Sequence, residues 1–294
     1  MAKRSDFILG TVIVLSVLFF LMAVTYMFWT VVGRGGFALT ASGDRVALVE
    51  LTGTISSSED IVRQLKKYKE NDSVSAIVLR INSPGGGVAA TQEIYQEMVR
   101  VREAGKTIVA SMGSVAASGG YYVACAADTI MANPGTLTGS IGVILEFPTA
   151  EELFQKIGIR FEVVKSGQFK DIGSPVRTMT DRERKILQEL IDDTYDQFVE
   201  VVATDRDLDR EEVLEVADGR VFSGRQGLEY GLIDVLGDYE DAILLAAAMS
   251  GIKGKPKTIR EWRRDATLWD VIFDTFGKAV SRSELMPSLE YRFR

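Results

Sequence analysis

One serine-containing segment has the residue types and position for nucleophilic catalysis. Residues 113–122 (GSVAASGGYY) follow a predicted strand and open a predicted helix, so Ser118 would lie at the junction of the two. At such a junction the backbone holds a serine with its hydroxyl exposed, and the first N–H groups of the helix point toward a developing oxyanion. The Gly-x-Ser-x-Gly pattern of a nucleophile elbow is absent here, so Ser118 as a simple helix N-cap stays open.

A second segment, 82–87 (NSPGGG), also comes directly after a predicted strand. Consecutive glycines let a backbone approach a ligand closely and present its N–H groups. A phosphate-binding loop is a competing interpretation, but no Gly-Lys-Ser/Thr follows, so the Walker pattern is not met. A purely structural turn remains the simpler alternative.

The chain contains no histidine. This excludes a Ser-His-Asp triad, a Cys-His pair and a histidine-ligated metal site. A serine nucleophile would need another base, and a lysine can serve when burial lowers its pKa. The best candidate segment is 165–171 (KSGQFKD), in which spacing alone does not choose between Lys165 and Lys170.

Strand-like and helix-like patterns alternate along the chain, which predicts an α/β fold with a largely parallel sheet. The predicted strands cover 46–51, 76–81, 107–111, 129–132 and 160–164. The predicted helices cover 60–68, 90–103 and 181–202. The last of these begins with Thr180 as N-cap and Glu183 as its capping-box partner.

Residues 7–32 carry no charged side chain. This exceeds the roughly 20 apolar residues that a membrane-spanning helix needs. Lys3 and Arg4 precede the run, which predicts a single-pass protein of the plasma (inner) membrane with a cytoplasmic N-terminus. A cleaved signal peptide is the alternative, but its apolar region would be only about 7–15 residues long.

These patterns divide the chain into four parts: an N-terminus with anchor, 1–33; a linker, 34–44; a core, 45–250; and a C-terminal arm, 251–294. In the arm, 268–280 could form an amphipathic helix, and 286–291 is expected to fray. The single cysteine, Cys125, is predicted to be a small buried hydrophobe. The net charge of -7 argues against a nucleic-acid partner.

Four motifs in order, at 82–87, 113–122, 139–143 and 165–171, resemble the bacterial signal peptide peptidase A family, and the similarity extends over roughly 45–249. The resemblance implies an α/β, Clp-protease/crotonase-like core with mostly parallel sheets, preceded by one transmembrane helix. It also implies a membrane-anchored serine endopeptidase that hydrolyses remnant signal peptides and similar apolar peptides.

The same resemblance implies a role for each site residue. Ser118 would be the nucleophile and Lys170 the general base. Ser140 would orient the lysine amine, and the N–H groups of Gly86 and Gly119 would form the oxyanion hole. The family also implies a homo-oligomeric ring in which neighbouring subunits share a site, with no cofactor and no metal.

Two other functions compete with this hypothesis. A crotonase-fold enzyme acting on acyl-coenzyme A would use the same glycine-rich turns, although an extracytoplasmic domain would meet little coenzyme A. A catalytically silent membrane scaffold would use the ring only for assembly. The presence of both Ser118 and Lys170 argues against the scaffold.

Overall fold

The computed structural model describes residues 15–26, 44–261 and 290–292. Residues 15–26 form helix α1, and internal contacts separate residues 1–42 from the unit that begins at residue 43. No helix among the described residues is long and apolar enough to cross a bilayer. The remainder of the predicted anchor and the predicted helix at 268–280 lie outside the described residues.

The unit that begins at residue 43 alternates strands and helices, as the sequence predicted. Its strands are β1 (Arg45–Thr52), β2 (Val74–Ser83), β3 (Gly85–Gly87), β4 (Thr107–Ala117), β5 (Thr129–Ala132), β6 (Leu137–Gly139), β7 (Val221–Ser223), β8 (Val235–Leu236), β9 (Lys257–Arg260) and β10 (Glu290–Arg292). Its helices are α2 (Glu59–Lys69), α3 (Val88–Glu103), α4 (Gly119–Cys125), α5 (Glu151–Lys156), α6 (Asp181–Arg206), α7 (Arg210–Val216), α8 (Gly224–Glu229) and α9 (Tyr239–Met249).

Eight of these strands form one sheet, in which every described pairing is parallel except that of β6 with β7. Strand β4 is its organising element, because β2 pairs along one edge while β5 and β6 share the other. β5 pairs with Val109–Met112 and β6 with Val115–Ala117. The last residues of β4 therefore run past β5 and deliver Ser118 beside the end of β6.

The central strands are buried on both faces, which explains their nearly continuous apolar sequences. Ile77, Leu79 and Ile81 of β2 belong to the larger core, with residues of α2, α3, α4 and α6. Val78 on the opposite face packs in a second core with Ala242 and other residues of α9. The sheet is thus sandwiched between helical layers, and its strand ends are held rigidly.

Three local predictions were wrong. Residues 160–164 form no strand, because no described segment pairs with their backbone, and the side chains of Phe161, Val163 and Val164 are exposed. The segment 82–87 is more than a turn, since its three glycines form β3. Residues 290–292 do not fray, because they pair with β3 as strand β10.

A charged cluster connects the segment 165–171 to the start of α6. Arg177 donates two hydrogen bonds of 2.9 Å to the carboxylate of Asp171, which also pairs with Lys165. The same guanidinium donates to Glu183, which forms the predicted capping box with Thr180. Arg177 lowers the pKa of Glu183 to about 2 and holds the pKa of Asp171 well below its usual range.

This cluster predicts a specific loss of stability in acid. The pKa of Glu183 is about 2 in the folded chain and 4.5 in the absence of folded contacts. The stabilisation contributed by the ionised Glu183 is therefore complete above pH 4.5 and is lost as the pH falls toward 2. Glu183→Gln should have a lower melting temperature than wild type near neutral pH. The difference between the two melting temperatures should shrink as the pH is lowered. A difference in melting temperature that stays constant across this pH range would contradict the assignment of the stabilisation to Glu183.

Candidate active site

Ser118 occupies a strained backbone position between β4 and α4. Its φ of 53° and ψ of -118° are unusual for a residue with a side chain, and such conformations cost about 1–3 kcal/mol. The Ser118 N–H donates to the Gly139 carbonyl at 2.8 Å, and its carbonyl accepts from the Tyr122 N–H at 2.9 Å. The serine thus lies at the predicted strand-to-helix junction, in a strained turn of the kind that can present a nucleophile.

The prediction that the Ser118 hydroxyl is exposed was wrong. Ser118 is fully buried, and its Oγ has no hydrogen-bond partner among the described residues. The Thr91 hydroxyl is likewise buried and unpaired, and it lies 2.8 Å from where a Cβ on Gly119 would be. An unsatisfied buried hydroxyl is destabilising, so two of them beside a strained turn make this region the candidate site.

The backbone of β3 presents one predicted oxyanion donor. The Gly85 carbonyl accepts from the Ile55 N–H at 2.9 Å, and the Gly87 N–H donates to the Ile55 carbonyl at 2.8 Å. Because successive backbone groups of a strand face opposite sides, the N–H of Gly86 faces away from Ile55, toward β10. Gly85 also packs directly against Gly119, so both predicted donors lie in one small region.

Ser140 directly follows Gly139, whose carbonyl accepts the hydrogen bond from the Ser118 N–H. It is 7% exposed, has a φ of 51°, and donates its N–H to the Arg220 carbonyl at 2.8 Å. It lines a cleft of about 540 Å³, together with Asp192 and Arg292. The structure therefore gathers Ser118, Ser140 and the glycines at the same ends of β4 and β6.

Lys170 is the one predicted site residue that the single chain does not bring to Ser118. It is exposed in an irregular segment, and its ammonium group has no hydrogen bond or ion pair among the described residues. Lys165, the alternative that spacing left open, is paired with Asp171. Of the two lysines, only Lys170 has an amine that is not committed to another group.

Strand β10 covers this region, and sequence patterns did not predict it. Tyr291 lies opposite Gly86, and its carbonyl oxygen lies 3.1 Å from where a Cβ on Gly119 would be. The Tyr291 side chain is fully buried against Tyr122 and Phe198. The one available hint was the apolar and aromatic character of 286–291, which also suits an unpaired terminus.

The remaining candidate groups contribute no alternative nucleophile or metal centre. Cys125 is buried and unpaired, as predicted, and desolvation raises the pKa of its thiol to about 12. The thiolate that a nucleophilic cysteine requires is therefore absent near neutral pH. Within 15–26, 44–261 and 290–292, no three cysteine or acidic side chains are grouped as metal ligands would be.

Two glycines with positive φ provide a matched test of this packing. A Cβ on Gly85 (φ +98°) would lie 1.9 Å from the Tyr291 oxygen and 2.7 Å from the Gly119 nitrogen, whereas Gly53 (φ +77°) has open space. Gly53→Ala should lower the free energy of unfolding by about 1 kcal/mol through backbone strain alone. Gly85→Ala should lower it by clearly more. Urea unfolding measures both, and equal losses would contradict the close packing.

Two family models match the sequence of this chain. The sequence model of peptidase family S49 matches residues 100–253, and that of Clp protease matches residues 43–137. The fold is accordingly α/β and Clp-protease-like, with a mostly parallel sheet. A solved structure of ClpP1 from Listeria monocytogenes aligns with a TM-score of 0.46 at 18% identity, covering 67% of this chain and 94% of that one.

Three curated relatives support the same family. A protein named as a protease in Synechocystis sp. is 47% identical over 72% of this chain, and one named signal peptide peptidase SppA in Enterococcus faecium is 39% identical over 71%. The chloroplastic serine protease SPPA of Arabidopsis thaliana is 31% identical over 88%. These alignments span 77%, 60% and 40% of the respective relatives. The chain belongs to peptidase family S49, which includes signal peptide peptidase A, and it is a serine peptidase.

Proposed function

We propose that this chain is a membrane-anchored endopeptidase that cleaves remnant signal peptides and similar apolar peptides through a Ser118/Lys170 pair. The observation that carries the proposal is the Ser118 hydroxyl, which is buried without a partner in a strained turn. Its backbone N–H is bonded to Gly139, Gly119 follows it in the chain, and the sequence has no histidine to act as a base. A lysine amine is the base that fits these conditions.

In this mechanism the neutral Lys170 amine takes the proton of Ser118 as Oγ attacks the peptide carbonyl. The N–H groups of Gly86 and Gly119 stabilise the tetrahedral oxyanion. Lys170 then gives its proton to the leaving amine, and an acyl-enzyme remains on Ser118. Water, deprotonated by the same lysine, hydrolyses this ester and restores the serine. Ser140 orients the lysine amine in this mechanism.

We further propose that Lys170 reaches Ser118 of a neighbouring subunit in a homo-oligomeric ring. The lysine has no partner among the described residues of one chain, and the segment before it is exposed and carries several apolar side chains. Residues 160–164 have the sequence of a strand, but no strand in the described part of the chain pairs with them. A second copy would bury this surface, whose exposed members are Leu153, Ile157, Ile159, Phe161, Val163 and Val164.

The membrane anchor is proposed to cover 7–32, with a cytoplasmic N-terminus and the catalytic part outside the plasma membrane. All side chains of α1 are exposed although most are apolar, and a helix that is apolar on every side suits lipid. The Thr25 hydroxyl donates to the Leu21 carbonyl at 2.9 Å, which satisfies it within the helix. In this arrangement 34–44 links the anchor to the core at 45–250, and the arm at 251–294 adds β9 and β10.

The direct test is hydrolysis of a signal-peptide-like substrate by the full chain in detergent. Ser118→Ala should lower the rate by at least about a thousandfold, as for other serine nucleophiles. Lys170→Arg should be equally inactive, because a guanidinium does not deprotonate. Activity that survives in Ser118→Ala would contradict the proposal.

Shared sites predict complementation between two inactive variants. When Ser118→Ala and Lys170→Ala chains are co-assembled in equal amounts, about a quarter of the sites should combine an intact serine with an intact lysine. Peptidase activity should return to roughly that fraction of wild type. Each variant assembled alone is the control. No recovery in mixed oligomers of confirmed composition would place both residues of a site in one chain.

A further inference from the structure

Thr91 of α3 carries a buried hydroxyl that the proposed reaction leaves without a role. The residue is fully buried, and its Oγ1 has no hydrogen-bond partner among the described residues. A threonine inside a helix can donate its hydroxyl to a backbone carbonyl one turn before it, and Thr25 and Thr194 both do so at 2.9 Å. Thr91 lacks this bond, so its hydroxyl is available to a ligand.

The Thr91 hydroxyl lies against the glycine that follows the nucleophile. A Cβ on Gly119 would be 2.8 Å from Thr91 Oγ1 and 3.2 Å from the Cα of Gly85. The same point is 3.1 Å from the carbonyl oxygen of Tyr291. A carbonyl oxygen therefore has room beside this hydroxyl, in the region where the N–H groups of Gly86 and Gly119 are proposed to act.

The start of α3 makes the surroundings of Thr91 favourable for a negative charge. Thr91 lies in the first turn of this 16-residue helix, whose N-cap is Gly87. No side chain of the described residues caps the helix, and its first turn carries no acidic residue. The positive end of the helix dipole is therefore not compensated there. An anion formed beside Thr91 would be stabilised by the dipole and by the hydroxyl together.

We propose that the Thr91 hydroxyl is a third hydrogen-bond donor to the tetrahedral oxyanion, beside the N–H groups of Gly86 and Gly119. The inference rests on the proposed function, because the oxyanion forms when Ser118 attacks the peptide carbonyl. A hydroxyl rotates its proton toward an acceptor, and a donor in a dry site acts most strongly where charge develops. Thr91 therefore contributes to kcat and much less to KM.

Thr91→Val replaces the hydroxyl by a methyl group and tests this role in the full chain in detergent. With a signal-peptide-like substrate, kcat should fall at least about tenfold while KM stays within about twofold. Thr91→Ser keeps the donor, so its kcat should stay within about threefold of wild type. A wild-type kcat in Thr91→Val, or a loss in it that Thr91→Ser shares, would overturn the inference.

The melting temperature distinguishes a catalytic hydroxyl from a structural one. Because Thr91 Oγ1 is buried without a partner in the described chain, Thr91→Val should melt at or above the wild-type temperature. Thr136→Val is the matched control, since the buried Thr136 hydroxyl donates to the Gly113 carbonyl at 2.8 Å. The control should melt below wild type and keep its kcat. Thr91→Val with a lower melting temperature and an unchanged kcat would show a structural role and overturn the inference.

A peptide boronic acid separates failure of this inference from failure of the proposed function, because its binding needs no turnover. The serine oxygen adds to boron, its proton is released, and a tetrahedral anion forms. The affinity for the boronic acid, relative to that for the matching peptide amide, should be at least about tenfold lower in Thr91→Val than in wild type. This result would support Thr91 even if wild type cleaves no signal peptide. Equal relative affinities, or no boronate binding by wild type, would overturn the role of Thr91.

Discussion

The hydrogen bond from the Ser118 N–H to the Gly139 carbonyl, 2.8 Å long, is the constraint on which the site depends. It joins the end of β4 to the end of β6 and holds Ser118 at a φ of 53° as α4 begins. The cost of that conformation is offset by the buried parallel sheet that fixes both strand ends. Loss of this bond would free the nucleophile, the first turn of α4 and the adjacent Ser140 together.

Close backbone packing supplies the second half of the site. A Cβ on Gly85 or Gly86 would overlap neighbouring backbone atoms, and one on Gly119 would lie 2.8 Å from the Thr91 hydroxyl oxygen. In the proposed mechanism, a peptide carbonyl uses the space that these glycines leave to reach the N–H groups of Gly86 and Gly119. Tyr291 of β10 lies in that space, which explains why Ser118 is buried and how a fully buried tyrosine adjoins a catalytic turn.

Local patterns in the sequence were sufficient for four of the five predicted strands, for the predicted helices at 60–68, 90–103 and 181–202, and for the serine turn. The strand before Ser118, the helix after it and the Thr180/Glu183 capping box depend on residues close in the chain, and all three are present. The pairing of β10 with β3 depends on residues about two hundred positions apart, which periodicity does not encode. The strand predicted at 160–164 failed for a related reason, because a strand requires a neighbour that the described chain lacks.

The described part of a single chain therefore holds a strained serine beside the proposed oxyanion donors, and within it Lys170 has no partner. The decisive measurement separates oligomer from monomer by size exclusion in detergent, treats each briefly with a serine-reactive fluorophosphonate, and quantifies the Ser118 adduct by mass spectrometry. Activation of Ser118 by the lysine of a neighbouring subunit predicts an adduct in the oligomer, none in the monomer, and none in a Lys170→Ala oligomer. Labelling of Ser118 at the same rate in the monomer, or an adduct on another residue, would contradict a shared Ser/Lys site.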